Sequence, residues 1–171
     1  MADLVLVMKT ELQLRNATTD DLRAIWEINE SNTPAVGSVN FDQLLFLYEQ
    51  SFQCFVVADD QVRAFCITIP PGSVYTSPNY LWFSERFKHF VYLDRIAVTS
   101  EFQNMGLGAL LYSEVEREMK SSGLSSMLCC EVNIEPPNPG SLRFHMRSGF
   151  RDLEHVEAKP GNIVAMLAKS L

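Results

Sequence analysis

A glycine-containing loop directly before an amphipathic segment is the stretch of this sequence best suited to binding a ligand. The loop reads Q-N-M-G-L-G over residues 103–108. The first N–H groups of a helix have no partner inside the helix, and the helix dipole attracts anions to that end. Gly106 and Gly108 lack a Cβ, so a phosphate group can approach the backbone closely. The loop therefore predicts an anion-binding site.

A strand and a helix must position this loop. Residues 90–98 are a short run of β-branched and aromatic residues, which predicts a strand. After the loop, apolar residues recur at three- and four-residue spacing with charged residues between them, which predicts a helix. These apolar residues are Leu107, Leu110, Leu111, Val115 and Met119.

The rest of the chain predicts further strands and helices around this unit. Strands are expected over residues 12–15, 52–58, 62–69, 127–134, 150–156 and 163–168. Helices are expected after Thr19, after Asn40 and over residues 138–147, and residues 73–89 form an aromatic-rich connection. The element order β-α-α-β-β-β-α-β-α-β-β combines antiparallel hairpins with one β-α-β crossover. The predicted class is thus α/β, a mixed central sheet flanked by helices. Since no linker divides the chain, residues 1–171 are expected to form a single domain.

Composition argues against nucleic acid and membrane partners. The 171 residues are 47% hydrophobic and carry a net charge of −7, whereas phosphate backbones attract basic surfaces. No apolar run approaches the length of a membrane span, and the acidic N-terminus does not resemble a signal peptide. We therefore expect neither nucleic acid nor a membrane as a partner.

The four cysteines are expected to be free thiols. Cys54, Cys66, Cys129 and Cys130 lie in strand-like runs without C-x-x-C spacing. This pattern favours a protein of the reducing cytoplasm and gives no reason to expect a metal site.

Two segments resemble motifs of the GCN5-related N-acetyltransferase (GNAT) superfamily. The segment V-T-S-E-F-Q-N-M-G-L-G is similar to the acetyl-CoA loop of that family, whose signature is Arg or Gln, two residues, Gly, one residue, then Gly or Ala. Gln103, Gly106 and Gly108 occupy the signature positions. A later segment resembles the second motif of the family through Asn138, Phe144, Gly149 and Phe150. The element order agrees as well, so the resemblance covers roughly residues 11 to 169.

The resemblance implies acetyl-CoA as a cosubstrate and implies which residues bind it. The strand around residues 96–98 is expected to splay from the strand that ends near Ile134, so that the cofactor binds in the gap. The pyrophosphate is expected on the amides at the helix start. The implied cofactor-binding residues are Ile96, Ala97, Val98, Gln103, Asn104, Met105, Gly106, Leu107, Gly108, Ala109, Asn138 and Ser141.

Two carboxylates are candidates for the general base that accepts the proton of the amine. Some N-terminal-peptide acetyltransferases of this family keep a glutamate at the position of Glu131, whereas Asp94 lies on the central strand, on the face of Tyr92 and Ile96. Arg95 is expected to point to the other face of that strand, which makes it a poor partner for Asp94. For each carboxylate the alternative is a structural ion pair, and Glu131 is slightly favoured.

His145 occupies the position at which the family usually has a tyrosine. An imidazole whose pKa is near its usual value of ~6.5 can protonate a leaving thiolate at neutral pH. The alternative, equally weighted, is that the ring packs beneath the cofactor without transferring a proton.

The implied activity is direct acetyl transfer to a primary amine, either a small amine or a peptide N-terminus. The acceptor site is expected between residues 30–38 and the aromatic segment 75–87, although these aromatic residues can equally fill the core or a homodimer interface. The alternative function is a non-catalytic acyl-CoA-binding regulatory module on the same fold.

Overall fold

The computed structural model describes residues 11–171, which form a seven-stranded sheet and five α-helices. The strands are β1 (Gln13–Asn16), β2 (Gln53–Ala58), β3 (Val62–Ile69), β4 (Val91–Val98), β5 (Met127–Glu135), β6 (Arg151–Lys159) and β7 (Asn162–Ser170). The helices are α1 (Leu22–Ser31), α2 (Phe41–Gln50), α3 (Pro78–Arg86), α4 (Leu107–Ser122) and α5 (Pro139–Arg147). The N-terminal segment judged not to be a signal peptide lies outside the described residues.

The sheet is mixed, as the sequence predicts. Its strand order is β1-β2-β3-β4-β5-β7-β6, and every neighbouring pair is antiparallel except β4 and β5. The parallel pair is joined by α4, which supplies the long crossover that parallel strands require. The α/β class with a mixed central sheet is therefore confirmed.

The helices cover both faces of the sheet and enclose two hydrophobic cores. On one face, α1, α2 and α3 pack through buried residues such as Ile25, Leu44 and Phe83. On the other face, α4 contributes Leu111 and Val115 and the shorter α5 adds partly buried residues. The helix predicted from five apolar residues at three- and four-residue spacing is confirmed, and four of the five are buried, whereas Leu110 is 45% exposed. The glycine loop at residues 103–108 thus belongs to the α4 face, whereas the loop between α1 and α2 belongs to the opposite face.

Helix α3 is an element that the sequence analysis did not predict, since residues 73–89 were interpreted as a connection. Pro78 opens this helix at a position where a missing N–H costs nothing. Tyr80 and Phe83 are three residues apart and almost fully buried. Most of the aromatic residues in this segment therefore belong to the core, the second of the two roles that were considered for them.

Membrane insertion has no candidate element among the described residues. Within residues 11–171, none of the helices combines the length and apolar character that crossing a bilayer would need.

Candidate active site

A gap between the two parallel strands opens a cavity in the sheet. Pairing between β4 and β5 is limited to Val91 with Leu128 and Tyr92 with Cys129. Beyond these two pairs the strands diverge, and a cavity of about 1080 Å³ lies at the divergence. The splay predicted around residues 96–98 is therefore present.

This cavity brings together almost all residues that the sequence analysis selected. Met105 is the exception: its side chain is 61% exposed and does not line the cavity. The selected residues that do line it are Asp94, Ile96, Ala97, Val98, Gln103, Asn104, Gly106, Leu107, Gly108, Ala109, Glu131, Asn138, Ser141 and His145.

The loop before α4 has the backbone geometry of a helix start facing the cavity. Gly106 is the N-cap and has φ = 83°, a left-handed conformation that favours glycine. The first backbone bond of the helix runs from the Leu110 N–H to the Gly106 carbonyl, so the preceding N–H groups are not used inside the helix. A Cβ built at Gly108 would lie 3.6 Å from the Phe144 ring, an ordinary contact, so packing alone does not demand glycine there.

The side chain of Gln103 contacts the end of β4. Its Nε2 donates to the Val98 carbonyl at 3.3 Å, and the Asn32 amide donates to the same oxygen at 3.3 Å. Gln103 therefore links the loop to β4 and to the end of α1, in addition to lining the cavity.

The arrangement of Asp94 and Arg95 differs from the prediction that they point to opposite faces. Leu93 pairs with Thr68 and Arg95 with Ile67, so Asp94 is an extra residue, a β-bulge that interrupts the alternation of side chains. Arg95 Nε donates to Asp94 Oδ2 at 2.7 Å, and both side chains are buried. For the same reason Tyr92 and Ile96 contribute to opposite cores. The prediction that Arg95 is a poor partner for Asp94 was wrong.

Both carboxylate oxygens of Asp94 have protein donors. Oδ2 accepts from Arg95, and Oδ1 accepts from the Tyr75 hydroxyl at 2.7 Å. This geometry favours the structural ion pair that was considered for Asp94.

Glu131 has the surroundings of a proton acceptor that works near neutral pH. Its Oε2 accepts a bond of 2.6 Å from the Tyr92 hydroxyl, and the side chain of Asn79 also favours the ionised form of the carboxyl. Burial raises the pKa of the Glu131 carboxyl to about 7, while the Tyr92 bond opposes the rise and the negative charge of Asp94 adds to it. A carboxylate with this pKa is half ionised at neutral pH and able to accept a proton.

Both ring nitrogens of His145 have partners inside the protein. Nδ1 donates to the Ser141 carbonyl at 2.7 Å, which leaves Nε2 to accept from the Tyr112 hydroxyl at 2.6 Å. The ring is 4% exposed, and burial lowers the pKa of the imidazole. A neutral imidazole with both nitrogens engaged fits the packing role better than the role of general acid.

Tyr112 is a residue of this site that the sequence analysis missed. Its ring lies on α4 and packs against His145, Phe144 and Phe150, with centroid distances of 5.5 to 5.8 Å. In the sequence Tyr112 adjoins Leu111 on the apolar side of the predicted helix. The helical pattern therefore indicates packing in the core and gives no sign of a role in the site. Its hydroxyl bonds His145, a partner on α5 that is distant in the sequence.

Cys130 is a second residue whose location was not anticipated. It lines the cavity next to Glu131, although the cysteines were considered only as free thiols. Burial raises the pKa of the Cys130 thiol well above its usual range, and the negative charge of Glu131 adds to this effect. The thiol is therefore protonated and a weak nucleophile.

A further part of the cavity wall, which we call the acceptor wall, comes from three segments that contribute no aromatic side chain to it. From the segment 75–87 only Pro78 and Asn79 line it, together with Ala35, Val36 and Gly37 from the α1–α2 loop. The β6–β7 hairpin completes this wall with residues 158–162. Tyr80 and Phe83 are in the core and do not reach the cavity.

Metal ligation has no candidate cluster in the part of the chain that the structure describes. Across residues 11–171, no three His, Cys, Asp or Glu side chains come together in an arrangement able to hold an ion.

Comparison with known proteins agrees with this geometry. Residues 14–150 match the acetyltransferase (GNAT) family. A search of curated proteins gave no match. The fold is similar to the ribosomal-protein-S18-alanine N-acetyltransferase from Escherichia coli, with a TM-score of 0.71, 18% identity and 94% of each chain covered. It is also similar to Ard1 from Thermoplasma volcanium (TM-score 0.76, 14% identity, 94% of this chain and 97% of that chain). A third similar structure is Arabidopsis thaliana NAA60 in complex with acetyl-CoA (TM-score 0.75, 12% identity, 94% and 100%).

The fold and the splayed-strand cavity define an acyl-CoA-dependent transferase. The chain belongs to the acetyltransferase (GNAT) family, because the match spans most of its length. It is accordingly an acetyl-CoA-dependent N-acetyltransferase, and the alternative of a non-catalytic module is set aside.

Proposed function

We propose that this enzyme acetylates a primary amine by direct transfer from acetyl-CoA, with Glu131 as the general base. The observation that carries the proposal is the Glu131 carboxyl, which lines the cavity at the strand divergence with a pKa of about 7. A base with a pKa near the working pH combines a useful ionised fraction with a useful driving force for proton transfer.

The proposed reaction is a single displacement. The amine nitrogen attacks the thioester carbonyl carbon, the carbon–sulfur bond breaks, and the thiolate leaves. Glu131 takes the proton of the amine, directly or through water, and the Tyr92 hydroxyl holds the carboxylate in place. Backbone N–H groups at the helix start supply fixed dipoles for the phosphates of the cosubstrate.

The state of Cys130 supports direct transfer over a covalent acetyl-enzyme. It is the cysteine that lines the cavity among the described residues, but its pKa is raised, so little thiolate forms at neutral pH. A nucleophile that is not ionised gives a poor covalent intermediate.

Cys130→Ala should therefore keep kcat within about threefold of the parent, because the thiol takes no part in the chemistry. Initial rates and intact-protein mass after mixing with acetyl-CoA measure this. Cys129→Ala, at the neighbouring position, is the matched control for packing. An acetyl adduct on the parent that disappears in Cys130→Ala, with loss of activity, would contradict direct transfer.

The acceptor wall favours a polar amine, and we propose a peptide N-terminus in particular. Asn79 and the residues 35–37 offer an amide and backbone groups, and no aromatic residue of segment 75–87 lines the cavity. An arylalkylamine would instead need an apolar pocket for its ring. The similar structure from Escherichia coli is named as an alanine N-acetyltransferase of a ribosomal protein, which supports this choice.

A panel of acceptors tests the proposal. Tetrapeptides with free Ala, Ser or Met N-termini should be acetylated with higher kcat/KM than phenethylamine or a diamine, with product detected by mass. The same peptides with blocked N-termini are the control. Faster acetylation of phenethylamine than of every peptide would contradict the peptide proposal.

His145 is assigned a packing role in this mechanism, and His145→Phe should separate packing from proton transfer. The variant leaves the buried Tyr112 hydroxyl without its acceptor, so its unfolding free energy should fall by about 1 to 3 kcal/mol. The pH profile of kcat should keep the limbs of the parent. Loss of an alkaline limb together with most of the rate would instead identify His145 as the general acid.

The stability of His145→Phe relative to the parent should also depend on pH. Because the pKa of His145 is lowered on folding, its contribution to stability is complete above about pH 6.5 and declines as the pH falls. The stability difference between parent and His145→Phe should therefore narrow below pH 6.5. Adding Tyr112→Phe to His145→Phe removes the unpaired hydroxyl. The double variant therefore shows whether that hydroxyl causes the loss of unfolding free energy.

A reducing compartment, and hence the cytoplasm, fits the cysteines best. All four are free and buried. Proteins of oxidising compartments commonly pair their cysteines, so this state supports the cytoplasmic location.

A further inference from the structure

The loop between α1 and α2 is tied to the central strand by a buried arginine. We call residues 32–39 the acceptor loop, because Asn32 and residues 34–37 line the cavity. Arg95 Nη1 donates to the Gly37 carbonyl at 3.2 Å and to Asn29 Oδ1 at 2.9 Å. Asn29 is fully buried and itself donates to the Gly37 carbonyl. One guanidinium thus fixes the midpoint of the loop to β4.

The bulge at Asp94 allows Arg95 to bond Asp94 while it holds the acceptor loop. On a regular strand Asp94 and Arg95 would face opposite sides of the sheet, whereas here Arg95 Nε bonds Asp94 Oδ2. The remaining oxygen of Asp94 accepts from the Tyr75 hydroxyl. Tyr75 lies three residues before Pro78, which lines the cavity. The pair therefore joins two separate wall segments to one strand.

The acceptor loop is braced at its far end as well. Glu30 Oε2 accepts from the Ser38 hydroxyl at 2.7 Å, and its Oε1 accepts from the Val39 N–H at 3.0 Å. The Trp26 indole donates to the Val39 carbonyl at 2.8 Å. With this end held by α1, the position of Gly37 depends on Arg95 and Asn29.

We propose that Arg95 is a positioning residue that sets the affinity for the acceptor amine by holding the acceptor loop at the cavity wall. A guanidinium can bond Asp94, Asn29 and Gly37 together because its donors form a planar fork, whereas an ammonium is a compact point charge. This inference rests on the proposed function in one respect, namely that the acceptor binds beside residues 34–37.

Arg95→Lys is the test variant, because it keeps a positive charge beside the buried Asp94. We expect KM for an Ala-initiated tetrapeptide to rise about tenfold or more, which corresponds to the loss of a hydrogen bond to a charged group. The Kd for acetyl-CoA should stay within twofold, and kcat should change less than KM. Arg15→Lys is the matched control, since Arg15 pairs with Asp21 through two bonds of 2.7 and 2.9 Å and does not line this cavity.

Hydrogen exchange provides a readout that does not depend on turnover. The amide of Val36 is bonded within the acceptor loop, to the Asn32 carbonyl. Its exchange should become about tenfold faster in Arg95→Lys, while that of residues 107–112 should not change. The double variant Asp94→Asn with Arg95→Met removes both charges together. Its acceptor loop should exchange as fast as that of Arg95→Lys, which would show that an unpaired buried charge is not the cause.

The outcomes separate this inference from the proposed function. If the parent acetylates no amine of the panel, the proposed acceptor fails, and the exchange data alone decide whether Arg95 holds the loop. If Arg95→Lys keeps the parental loop exchange, or keeps the parental acceptor KM, the positioning role is overturned although the enzyme is active. Equal weakening of acetyl-CoA and acceptor binding would also overturn it, since it would indicate a general structural role.

Discussion

Glu131→Gln should lower kcat by about 10²- to 10⁴-fold, which is the usual contribution of a general base. The parent should show an acidic limb with a midpoint near pH 7, because the carboxyl must be ionised to accept a proton and its pKa is about 7. The variant should lose that limb, since the amide does not titrate in this range. Measuring kcat from pH 5.5 to 9 with a confirmed acceptor gives both results.

The control for this prediction is the donor that contacts the carboxylate. The Tyr92 bond favours the ionised form of Glu131, so Tyr92→Phe should raise the pKa of Glu131 and move the acidic limb to higher pH. Asp94→Asn should move the limb to lower pH, because the negative charge of Asp94 raises that pKa and its removal leaves Arg95 unpaired. A parental rate and an unchanged limb in Glu131→Gln would remove this carboxyl from the mechanism.

Stability gives the same variant a second signature. The pKa of Glu131 is raised on folding, so the stability it provides is present below its unfolded pKa of about 4.5 and is lost as the pH rises through 7. Glu131→Gln should therefore be more stable than the parent above pH 7, by up to about 3 kcal/mol. Chemical unfolding at pH 5 and pH 8.5 measures this difference, which should be smaller at pH 5.

Ala109→Glu should weaken acetyl-CoA binding by about 10- to 100-fold, or about 1.4 to 2.8 kcal/mol. Ala109 lies in the first turn of α4, is exposed and lines the cavity. A carboxylate there would repel the phosphates of the cosubstrate, whereas the same charge favours the helix itself. The protein should thus fold at least as stably as the parent while calorimetry reports the loss of affinity.

Ala109→Gln is the matched control, because glutamine has nearly the same size as glutamate without the charge. Its Kd should lie within about threefold of the parent, and raising the salt concentration should narrow the gap between the two variants. Equal affinity of the glutamate and glutamine variants at low salt would show that the phosphates bind elsewhere.

Patterns that repeat over short distances account for the parts of the fold that the sequence predicted. Leu111 and Val115 belong to a helical repeat that can be recognised without tertiary structure, and the strand runs around β2 and β3 are equally local. The glycine loop at residues 103–108 was identifiable because its function depends on backbone geometry at a helix start. In each of these cases neighbouring residues carry the whole signal.

Features that depend on distant partners were not predictable in this way. The bulge at Asp94 exists through the register with β3, so the pairing of Asp94 with Arg95 has no signature in β4 alone. Tyr112 and His145 are 33 positions apart, and their bond fixes the imidazole in a state that its sequence position did not indicate. The segment of α3 was interpreted as a connection because of its many aromatic residues. Ser77 and Pro78, which are typical of a helix start, could have indicated the helix.

The two-pair contact between β4 and β5 divides the sheet into lobes that are each continuous in sequence. Strands β1 to β4 end at Val98, and strands β5 to β7 begin at Met127, so the cavity in which we propose that acetyl-CoA binds is also the seam between the two lobes. A ligand that bridges this seam and binds only the folded state stabilises that state by an amount that rises with the logarithm of the ligand concentration above its Kd. Thermal unfolding of this enzyme should therefore shift to higher temperature as acetyl-CoA is added.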